Sequence, residues 1–232
     1  MTMNDKPIFV FLPACDEEKH IEEMVNQLKQ LKLNLKVHVI DDGSKDATGD
    51  VARNAGAIVV RHPVNLGQWA AMRTAFMISL IEDAEVMVSV DADGQHHPRD
   101  LPKLVEPILE GKADIVIGSR FLEDESPEMP KYRRAGIRLF NRLIEIIAKK
   151  RLTDCTSGYK AYNMAMVRRA LPNLRENQYG ALEFILEAAR QKARIIEKSI
   201  RAKNNAVSKK GKIEYGYNLL RTIFERIIHQ GV

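Results

Sequence analysis

Two aspartates that are separated by one residue follow a short apolar run and come just before a glycine. Asp91 and Asp93 continue residues 86–90, Val-Met-Val-Ser-Val. Successive side chains of an extended chain point to opposite faces, so these carboxylates share one face, where like charges repel. Carboxylate and amide oxygens select a hard ion such as Mg²⁺ or Mn²⁺, and Gln95 supplies a nearby amide. We therefore expect a divalent cation at Asp91, Asp93 and Gln95, although Asp-x-Asp alone is equally typical of a loop of solvated or capping acids.

The segments that must position these aspartates alternate between strands and helices. Short runs rich in β-branched residues predict strands at residues 8–12, 37–40, 57–60, 86–90 and 114–117. Apolar residues at helical spacing predict helices at residues 18–31, at residues 70–81 and from Pro98 onward. This alternation is typical of an α/β fold with a mostly parallel, doubly wound sheet and helices on both faces. Ligands bind such sheets at the carboxyl ends of the strands, which is where the two aspartates lie.

The second half of the chain is less regular. Residues 136–151 and 213–229 each combine an apolar stripe with cationic side chains, which predicts two amphipathic helices. Residues 198–212 have no such period, so we expect a mobile basic loop there. These patterns divide the chain into one domain of residues 1–212 and a C-terminal amphipathic helix within residues 213–232. That helix either lies in a membrane interface or packs on the core.

Composition and charge narrow the class of protein. The chain has 232 residues, of which 45% are hydrophobic, and a net charge of +5. No apolar run reaches the roughly 20 residues of a spanning helix, and the polar N-terminus is not typical of a secretory leader. The two distant cysteines fit a reducing compartment, so we expect a cytoplasmic protein.

Positive charge is concentrated near the end of the chain. Between residues 190 and 212 there are nine Lys or Arg residues and a single acid, Glu197. Such a run attracts phosphates, nucleic acid or anionic lipid, or is simply a solvated face. We do not expect nucleic acid as the partner, because the run lacks interleaved aromatic residues and leaves Asp91 and Asp93 unexplained.

Several common catalytic motifs are absent. The sequence contains no G-x-G-x-x-G after a predicted strand, no G-x-x-x-x-G-K, no G-x-S-x-G and no C-x-x-C. Dinucleotide binding, a phosphate-binding loop of the Walker type and a serine-hydrolase elbow are therefore not indicated. What remains is carboxylates at strand ends and cations elsewhere.

Five short motifs occur in order, each at a predicted strand end or helix start. They are P-A-C-D-E-E at residues 13–18, V-I-D-D-G-S-K-D-A-T at 39–48, N-L-G at 65–67, D-A-D-G-Q-H at 91–96 and G-S-R-F at 118–121. Together they resemble glycosyltransferase family two, whose fold is the Rossmann-like GT-A fold. With D-C-T-S-G-Y-K at residues 154–160 and the basic loop, they look most like its dolichyl- or polyprenyl-phosphate hexosyltransferase branch, typified by dolichyl-phosphate mannose synthase. The resemblance covers about residues 7–210.

The resemblance also implies roles for single residues. The pocket for the nucleotide would be lined by Pro13, Cys15, Glu17, Ile40 and Asp42. The metal ion and the sugar diphosphate would be faced by Asp91, Ala92, Asp93 and Gln95, with Asp93 central to catalysis. The acceptor phosphate would be held by Arg120 and by Arg133 or Arg134, with Arg134 counted among the catalytic residues. Lys203 and Lys209 would belong to a loop that folds over the diphosphate.

The sequence departs from the family pattern at three positions, Cys15, Lys203 and Ala206, the last of which stands where the family has Gly. Cys15 stands where the family has Tyr, so the base of the nucleotide can be guanine or uracil. We expect the thiol of Cys15 to be buried and inert rather than reactive. Trp69 either packs in the core or fills the space of that Tyr. Lys203 stands where the family has Arg, and a lysine keeps the charge but loses the bidentate geometry.

The acceptor side of the expected site has fewer markers. Family members that glycosylate a hydroxyl often have a catalytic base near the start of a later helix. In that region this chain has only Glu183, which we expect to be an acid on the helix surface. Asp154 and Ser157 either order the acceptor or cap a turn. Histidines beside the carboxylates, such as His62 and His96, are expected as hydrogen-bond partners rather than as metal ligands.

The expected function is therefore a metal-dependent, inverting glycosyltransferase. It would move a hexose from a nucleotide sugar, GDP-mannose or a UDP-sugar, to a polyprenyl or dolichyl phosphate at the cytoplasmic face of a membrane. A peripheral attachment through residues 136–151 and 213–229 suits this acceptor, and a membrane-embedded partner protein or a homo-oligomer is compatible with it. The alternative is a soluble family-two enzyme that glycosylates a sugar hydroxyl in surface polysaccharide or lipopolysaccharide assembly.

Overall fold

The computed structural model describes residues 6–122, 138, 141–142, 145, 151–174 and 180–201, with residues 181 and 182 as backbone only. The strands are Ile8–Ala14 (β1), Leu35–Asp41 (β2), Ile58–Arg61 (β3), Val86–Ser89 (β4), Ile115–Ser119 (β5), Lys160–Asn163 (β6) and Ile195–Ser199 (β7). The α-helices are Ile21–Lys29 (α1), Thr48–Asn54 (α2), Gln68–Ile81 (α3), Leu101–Leu109 (α4), Met164–Ala170 (α5) and Gly180–Arg190 (α6). Short 3₁₀ turns span Pro98–Asp100 and Leu171–Asn173.

The strands form one mixed sheet. Its order is β3-β2-β1-β4-β6-β5-β7, and the pairs β3–β2, β2–β1, β1–β4 and β5–β7 are parallel. β6 lies between β4 and β5 and is antiparallel to both. The mostly parallel sheet expected from the sequence is therefore confirmed, with one reversed strand at its centre.

Both faces of the sheet are covered, because the central strands are apolar on both sides. Phe9 and Phe11 of β1 point to one core, which α3, α5 and α6 complete. Val10 and Leu12 point to the opposite core, which is shared with α1 and α4. A strand buried on both faces reads as a continuous apolar run, which explains why the period-two pattern is weak in β1 and β4.

All five strands expected from the sequence are present. β6 and β7 were not predicted, and the expectation of an irregular basic loop over residues 198–212 is wrong for Lys198 and Ser199, which end β7. β7 pairs with β5 along its whole length, so a partner strand orders Lys198 and Ser199, which have no apolar pattern of their own. The helix expected at residues 18–31 is the shorter α1, and α3 begins two residues earlier than expected.

The predicted amphipathic helices lie largely or wholly outside the described residues. Residues 138, 141, 142 and 145 are helical, in agreement with the first of them. The rest of that helix, the helix at residues 213–229 and the domain boundary at residue 212 fall outside. In the part of the chain that is described, no helix has the length and hydropathy needed to cross a bilayer.

Candidate functional site

The carboxyl ends of β1, β2, β4 and β5 meet at one edge of the sheet, because these four strands run in the same direction. Cys15 follows β1, Asp42 follows β2, Asp91 follows β4 and Arg120 follows β5. The reversed strand β6 brings its first residue, Lys160, to the same edge. Side chains that are distant in sequence are therefore collected in one place, as expected for a doubly wound sheet.

The carboxylate of Asp91 is held by three elements. Gln68 of α3 donates its side-chain N–H to Oδ1 at 3.0 Å, and His96 Nε2 lies 3.5 Å from Oδ2. A Cβ atom at Gly158 would overlap the same carboxylate, so only a glycine leaves room for it. Burial raises the pKa of Asp91, but the hydrogen bond and charge of His96, with the charges of Lys160 and Arg120, outweigh it and lower the pKa. Asp91 is therefore an anion in a cationic surrounding.

Asp93 has the opposite environment. Its carboxylate accepts the backbone N–H of Gln95 at 3.0 Å and the side-chain N–H of Gln95 at 2.5 Å. Burial, followed by the charge of Asp91, raises the pKa of Asp93. An added positive charge between the two carboxylates would relieve this repulsion.

The donor set fits a hard divalent cation. Asp91, Asp93 and Gln95 present oxygen ligands, and an ion such as Mg²⁺ keeps several ligand positions for water and a diphosphate. Among the described residues, no group of three or more His, Cys, Asp or Glu side chains forms a complete metal cage. A partial protein shell of this kind is typical of an ion that is shared with a phosphate ligand.

Arg120 lies beside these carboxylates and is anchored from behind. It donates Nε and Nη2 to the two oxygens of Asp154 at 2.7 and 2.9 Å, and Nη2 also lies 3.3 Å from the hydroxyl of Thr156. Burial lowers the pKa of Arg120, but the Asp154 pair and the charges of Asp91 and Asp93 outweigh it, so the guanidinium stays charged. Nη1 is the nitrogen that these bonds leave for a ligand. Asp154 thus orders Arg120, and it also accepts the hydroxyl of Thr156 within its own turn at 3.1 Å.

Asp154 is itself positioned by Glu197, the single acid of the basic run. Glu197 accepts the backbone N–H of Thr153 at 2.8 Å and that of Asp154 at 2.9 Å. Ser157 accepts the backbone N–H of Tyr159 at 3.2 Å, which completes the turn into β6. β7, which was not predicted, therefore supports the arginine at the carboxyl end of its neighbour β5.

Lys160 is a second buried cation at this edge. Its side chain donates to the carbonyl oxygen of Ser157, and the residue is 4% exposed. Burial lowers its pKa, and the nearby Cys155, Asp154 and Asp91 oppose that shift. Sequence reasoning singled out the motif that contains Lys160 but not the residue; a lysine that opens a strand after a glycine was the available signal.

The residues expected around the nucleotide have two kinds of placement. Pro13, Cys15 and Glu17 are partly exposed along the end of β1. Ile40 and Ala92 are 0% and 2% exposed, so a ligand here would meet their backbone rather than their side chains. Asp42 is buried and engaged: His62 Nδ1 lies 2.8 Å from Oδ1, and Oδ1 and Oδ2 accept the backbone N–H groups of Leu66 and Gly67. His62 and His96 are thus hydrogen-bond partners of carboxylates, as expected.

Two expectations about single residues are wrong. The thiol of Cys15 is not buried but partly exposed, and its sulfur accepts the side-chain N–H of Asn65 at 3.1 Å. Glu183 is not a surface acid, since it is 1% exposed within α6. Trp69 packs in the core, 6% exposed, with its ring edge toward Phe76. The expected roles of Arg133, Arg134, Lys203 and Lys209 fall on residues outside the described part of the chain.

Comparison with known proteins gives a consistent family. The model of the family described as glycosyl transferase family 2 matches residues 9–171. The chain is 34% identical over 201 residues to an uncharacterized protein of Methanocaldococcus jannaschii, covering 86% of this chain and 82% of that one. It is 28% identical to the UDP-N-acetylglucosamine–dolichyl-phosphate N-acetylglucosaminyltransferase of Methanococcus voltae, covering 86% of each chain. It is 29% identical to the undecaprenyl-phosphate mannosyltransferase of Micrococcus luteus, covering 82% and 81%.

Solved structures support the fold. Glucosyl-3-phosphoglycerate synthase from Mycobacterium tuberculosis, crystallised with Mn²⁺, uridine diphosphate and its product, superposes with a TM-score of 0.69 over 97% of this chain and 80% of that one. The identity is 19%, so this likeness shows the fold alone.

Proposed function

Because this chain belongs to glycosyl transferase family 2, we propose that it transfers a hexose from a nucleotide sugar to a polyprenyl or dolichyl phosphate. The family and the enzyme class, glycosyltransferase, are shown by the match over residues 9–171. The lipid-phosphate acceptor is supported by relatives whose names include dolichyl phosphate, undecaprenyl phosphate and polyprenol. We further propose the class of sugar donor, the metal dependence and the inverting course of the reaction.

One observation carries this proposal: two mutually repelling carboxylates and an anchored arginine meet at the same edge of the sheet. The raised pKa of Asp93 reflects burial and the charge of Asp91 next to it. Arg120 responds to the charges of both, so it lies within electrostatic reach of the same space. A site that combines excess negative charge with a fixed cation suits a cation and a phosphate bound together.

The chemistry follows from the charges of the reactants. A divalent ion held by Asp91, Asp93 and Gln95 would neutralise the negative charge that develops on the departing nucleoside diphosphate. An acceptor phosphate is largely ionised at neutral pH, because its second pKa is about 6. It therefore needs orientation by cations such as Arg120 more than it needs a base. A single displacement by that phosphate oxygen at the anomeric carbon inverts the configuration of the sugar.

The roles of four further residues belong to the same proposal. Arg133 or Arg134 would join Arg120 at the acceptor phosphate, and Lys203 and Lys209 would close over the diphosphate. The donor is GDP-mannose or a UDP-sugar. The partly exposed Cys15 and the exposed Asn65 beside β1 form the surface that would meet the base.

The test of the proposal is a transfer assay with labelled nucleotide sugars. The purified chain is incubated with undecaprenyl or dolichyl phosphate, Mn²⁺ or Mg²⁺ and a panel of donors, and the label is counted in the organic extract. We expect label in that extract for one donor, and loss of it with Asp93→Asn. Asp93→Asn should leave the melting temperature unchanged or slightly higher, because it removes a buried charge that Asp91 repels.

Matched controls make that result specific. Asp50→Asn removes a carboxylate that pairs with Arg53 on the surface of α2, so its activity should equal that of the wild type. Full activity of Asp93→Asn, or of the wild type in excess chelator, contradicts a metal-dependent mechanism. Aqueous label with a sugar acceptor and none in the organic phase contradicts the lipid-phosphate acceptor.

A hydroxyl acceptor is the second candidate, and the burial of Glu183 favours it. A carboxylate that is 1% exposed in the first turn of α6 is not the surface acid expected from the sequence, so a role as a base gains weight. The same assay separates the two candidates. A phosphate acceptor predicts label on the lipid phosphate that Glu183→Gln keeps. A hydroxyl acceptor predicts label on an added sugar acceptor in the aqueous phase, and its loss with Glu183→Gln.

Membrane attachment belongs to the proposal as well. We propose a peripheral protein at the cytoplasmic face that is held by residues 136–151 and 213–229, since a polyprenyl phosphate presents its charge at the bilayer surface. Flotation with anionic liposomes should carry the wild type upward at low salt, and Leu220→Glu with Phe224→Glu should reduce this. A wild type that stays at the bottom of the gradient contradicts the attachment.

A further inference from the structure

The loop between β3 and α3 is fixed by a buried carboxylate. Asp42 accepts the backbone N–H of Leu66 at 2.9 Å and that of Gly67 at 2.8 Å. His62 joins them, with Nδ1 2.8 Å from Asp42 and Nε2 2.9 Å from the hydroxyl of Thr74 in α3. Asp42 and His62 are only 4% and 8% exposed. These bonds determine where α3 begins and how its first turn is oriented.

Gly67 makes the turn into α3 possible. It has φ of +95°, a backbone conformation that residues other than glycine rarely adopt. A Cβ atom at this position would meet no atom within 4 Å. The glycine is therefore required by the backbone conformation rather than by crowding. It directs the chain so that Gln68 is the first residue of α3.

Gln68 reaches from that helix end to the proposed metal site. Its amide nitrogen donates to Asp91 Oδ1 at 3.0 Å, and a carboxylate oxygen can only accept. His96 lies 3.5 Å from the other oxygen of Asp91, and the backbone of Gly158 lies against the carboxylate. Both oxygens of Asp91 are thereby oriented before any ligand arrives.

We propose that Gln68 is a positioning residue for the metal-binding carboxylate of Asp91, and that Asp42 acts on Asp91 through it. This inference rests on the proposed metal site. The chain of contacts runs from Asp42 to the backbone of Gly67, to the side chain of Gln68 and to Asp91. A residue at the expected nucleotide pocket therefore controls the geometry at the metal, and this coupling exists without a nucleotide.

The experiment measures Mn²⁺ binding by electron paramagnetic resonance, without sugar donor or acceptor. The wild type is titrated alone and with saturating UDP or GDP. Groups that hydrogen-bond metal ligands typically change metal affinity about 10- to 100-fold, so Gln68→Ala should weaken Mn²⁺ binding at least about tenfold. Gln27→Ala is the matched control: Gln27 is a partly exposed amide on α1 that donates to Glu23 at 2.7 Å, and its removal should leave Mn²⁺ binding unchanged.

Asp42→Asn tests the coupling itself. The amide of an asparagine would present N–H groups or a single oxygen to two backbone donors, so the loop should shift and Mn²⁺ binding should weaken in the absence of nucleotide. If Asp42 acts through Gln68, the double variant Asp42→Asn, Gln68→Ala should bind Mn²⁺ no more weakly than Gln68→Ala. Circular dichroism and melting temperature identify any variant that is unfolded, and His62→Gln, which leaves the Asp42 carboxylate in place, is then titrated instead.

Each outcome decides one claim. A wild type that binds no Mn²⁺ with or without a nucleoside diphosphate overturns the metal site and the inference together. If the wild type and Gln68→Ala bind Mn²⁺ with equal affinity, the inference is overturned and the proposed function stands. Additive losses in the double variant overturn the route through Gln68.

Discussion

The bidentate pair between Arg120 and Asp154 permits a quantitative prediction about stability. Asp154→Asn keeps the size of the side chain and removes its charge. The Asp154 side chain is 0% exposed and that of Arg120 is 11% exposed, so the guanidinium would lose its partner in a largely dry surrounding. Breaking a buried ion pair by removing one partner costs about 3–5 kcal/mol, because the remaining charge is uncompensated.

The free-energy cost of removing the partner of Arg120 should lie at the lower end of that range. Asp91 and Asp93 act on the same guanidinium and offset part of its charge when Asp154 is neutral. An asparagine also keeps one oxygen that can accept from Arg120. We therefore expect Asp154→Asn to lower the free energy of unfolding by about 3 kcal/mol.

Urea unfolding with equal slopes for wild type and variant is the appropriate assay. Asp114→Asn is the control, because Asp114 pairs with Arg194 in similar geometry, 2.9 and 3.1 Å, but with a guanidinium that is 53% exposed. Its effect should be a small fraction of that of Asp154→Asn. The double variant Arg120→Met, Asp154→Asn should be more stable than Asp154→Asn alone. An Asp154→Asn variant that is no less stable than Asp114→Asn, or a double variant that is less stable still, refutes this reasoning.

Two further predictions concern the core. His38 is 1% exposed, and burial, followed by the charge of Lys36, lowers its pKa. Below pH about 6.5 the unfolded chain therefore takes up a proton that the folded chain does not. The free energy of unfolding should then decrease as the pH is lowered, by up to about 1.4 kcal/mol per pH unit. Urea unfolding at pH 7.5 and 5.5 should show this loss in the wild type and less of it in His38→Phe; equal losses contradict the assignment. Gly180→Ala should lower stability by about 1–3 kcal/mol or more, because the new Cβ would overlap the indole of Trp69. Gly111→Ala, at φ of +67° in open space, isolates the backbone cost and should be the milder variant; the reverse order of melting temperatures contradicts the steric argument.

The sequence predicted those parts of the fold that depend on local pattern. β1 to β5 are runs of β-branched residues between helices with a helical period, and both patterns are visible within about ten residues. The placement of Asp91 at a strand end follows from the same pattern, because an apolar run that stops at a charge marks where the buried strand ends. The parallel sheet and the edge that carries the site could therefore be predicted.

The remaining features depend on contacts between distant residues. β6 is four residues long and includes Lys160 and Asn163, so it becomes a strand only because β4 and β5 pair with it on both sides. The burial of Glu183 depends on the packing of α6 against α3, where Phe184 stacks on Phe76 with ring centroids 5.2 Å apart. The roles of Gln68 and Glu197 could not be predicted either, because each lies far in sequence from the residue that it supports.

The reversed strand also constrains the order in which the protein can be completed during synthesis. In the described sheet β5 pairs only with β6 and β7, both of which follow it in the chain. A nascent chain that ends before residue 160 thus presents β5 without a neighbour and leaves one edge of β4 open. Such unpaired apolar edges are prone to aggregate, so we expect ribosome-associated chaperones to bind the nascent chain in this interval. The backbone of Gly158, which lies against Asp91, is made in the same interval, so the proposed cation site cannot be complete before this segment has been synthesised.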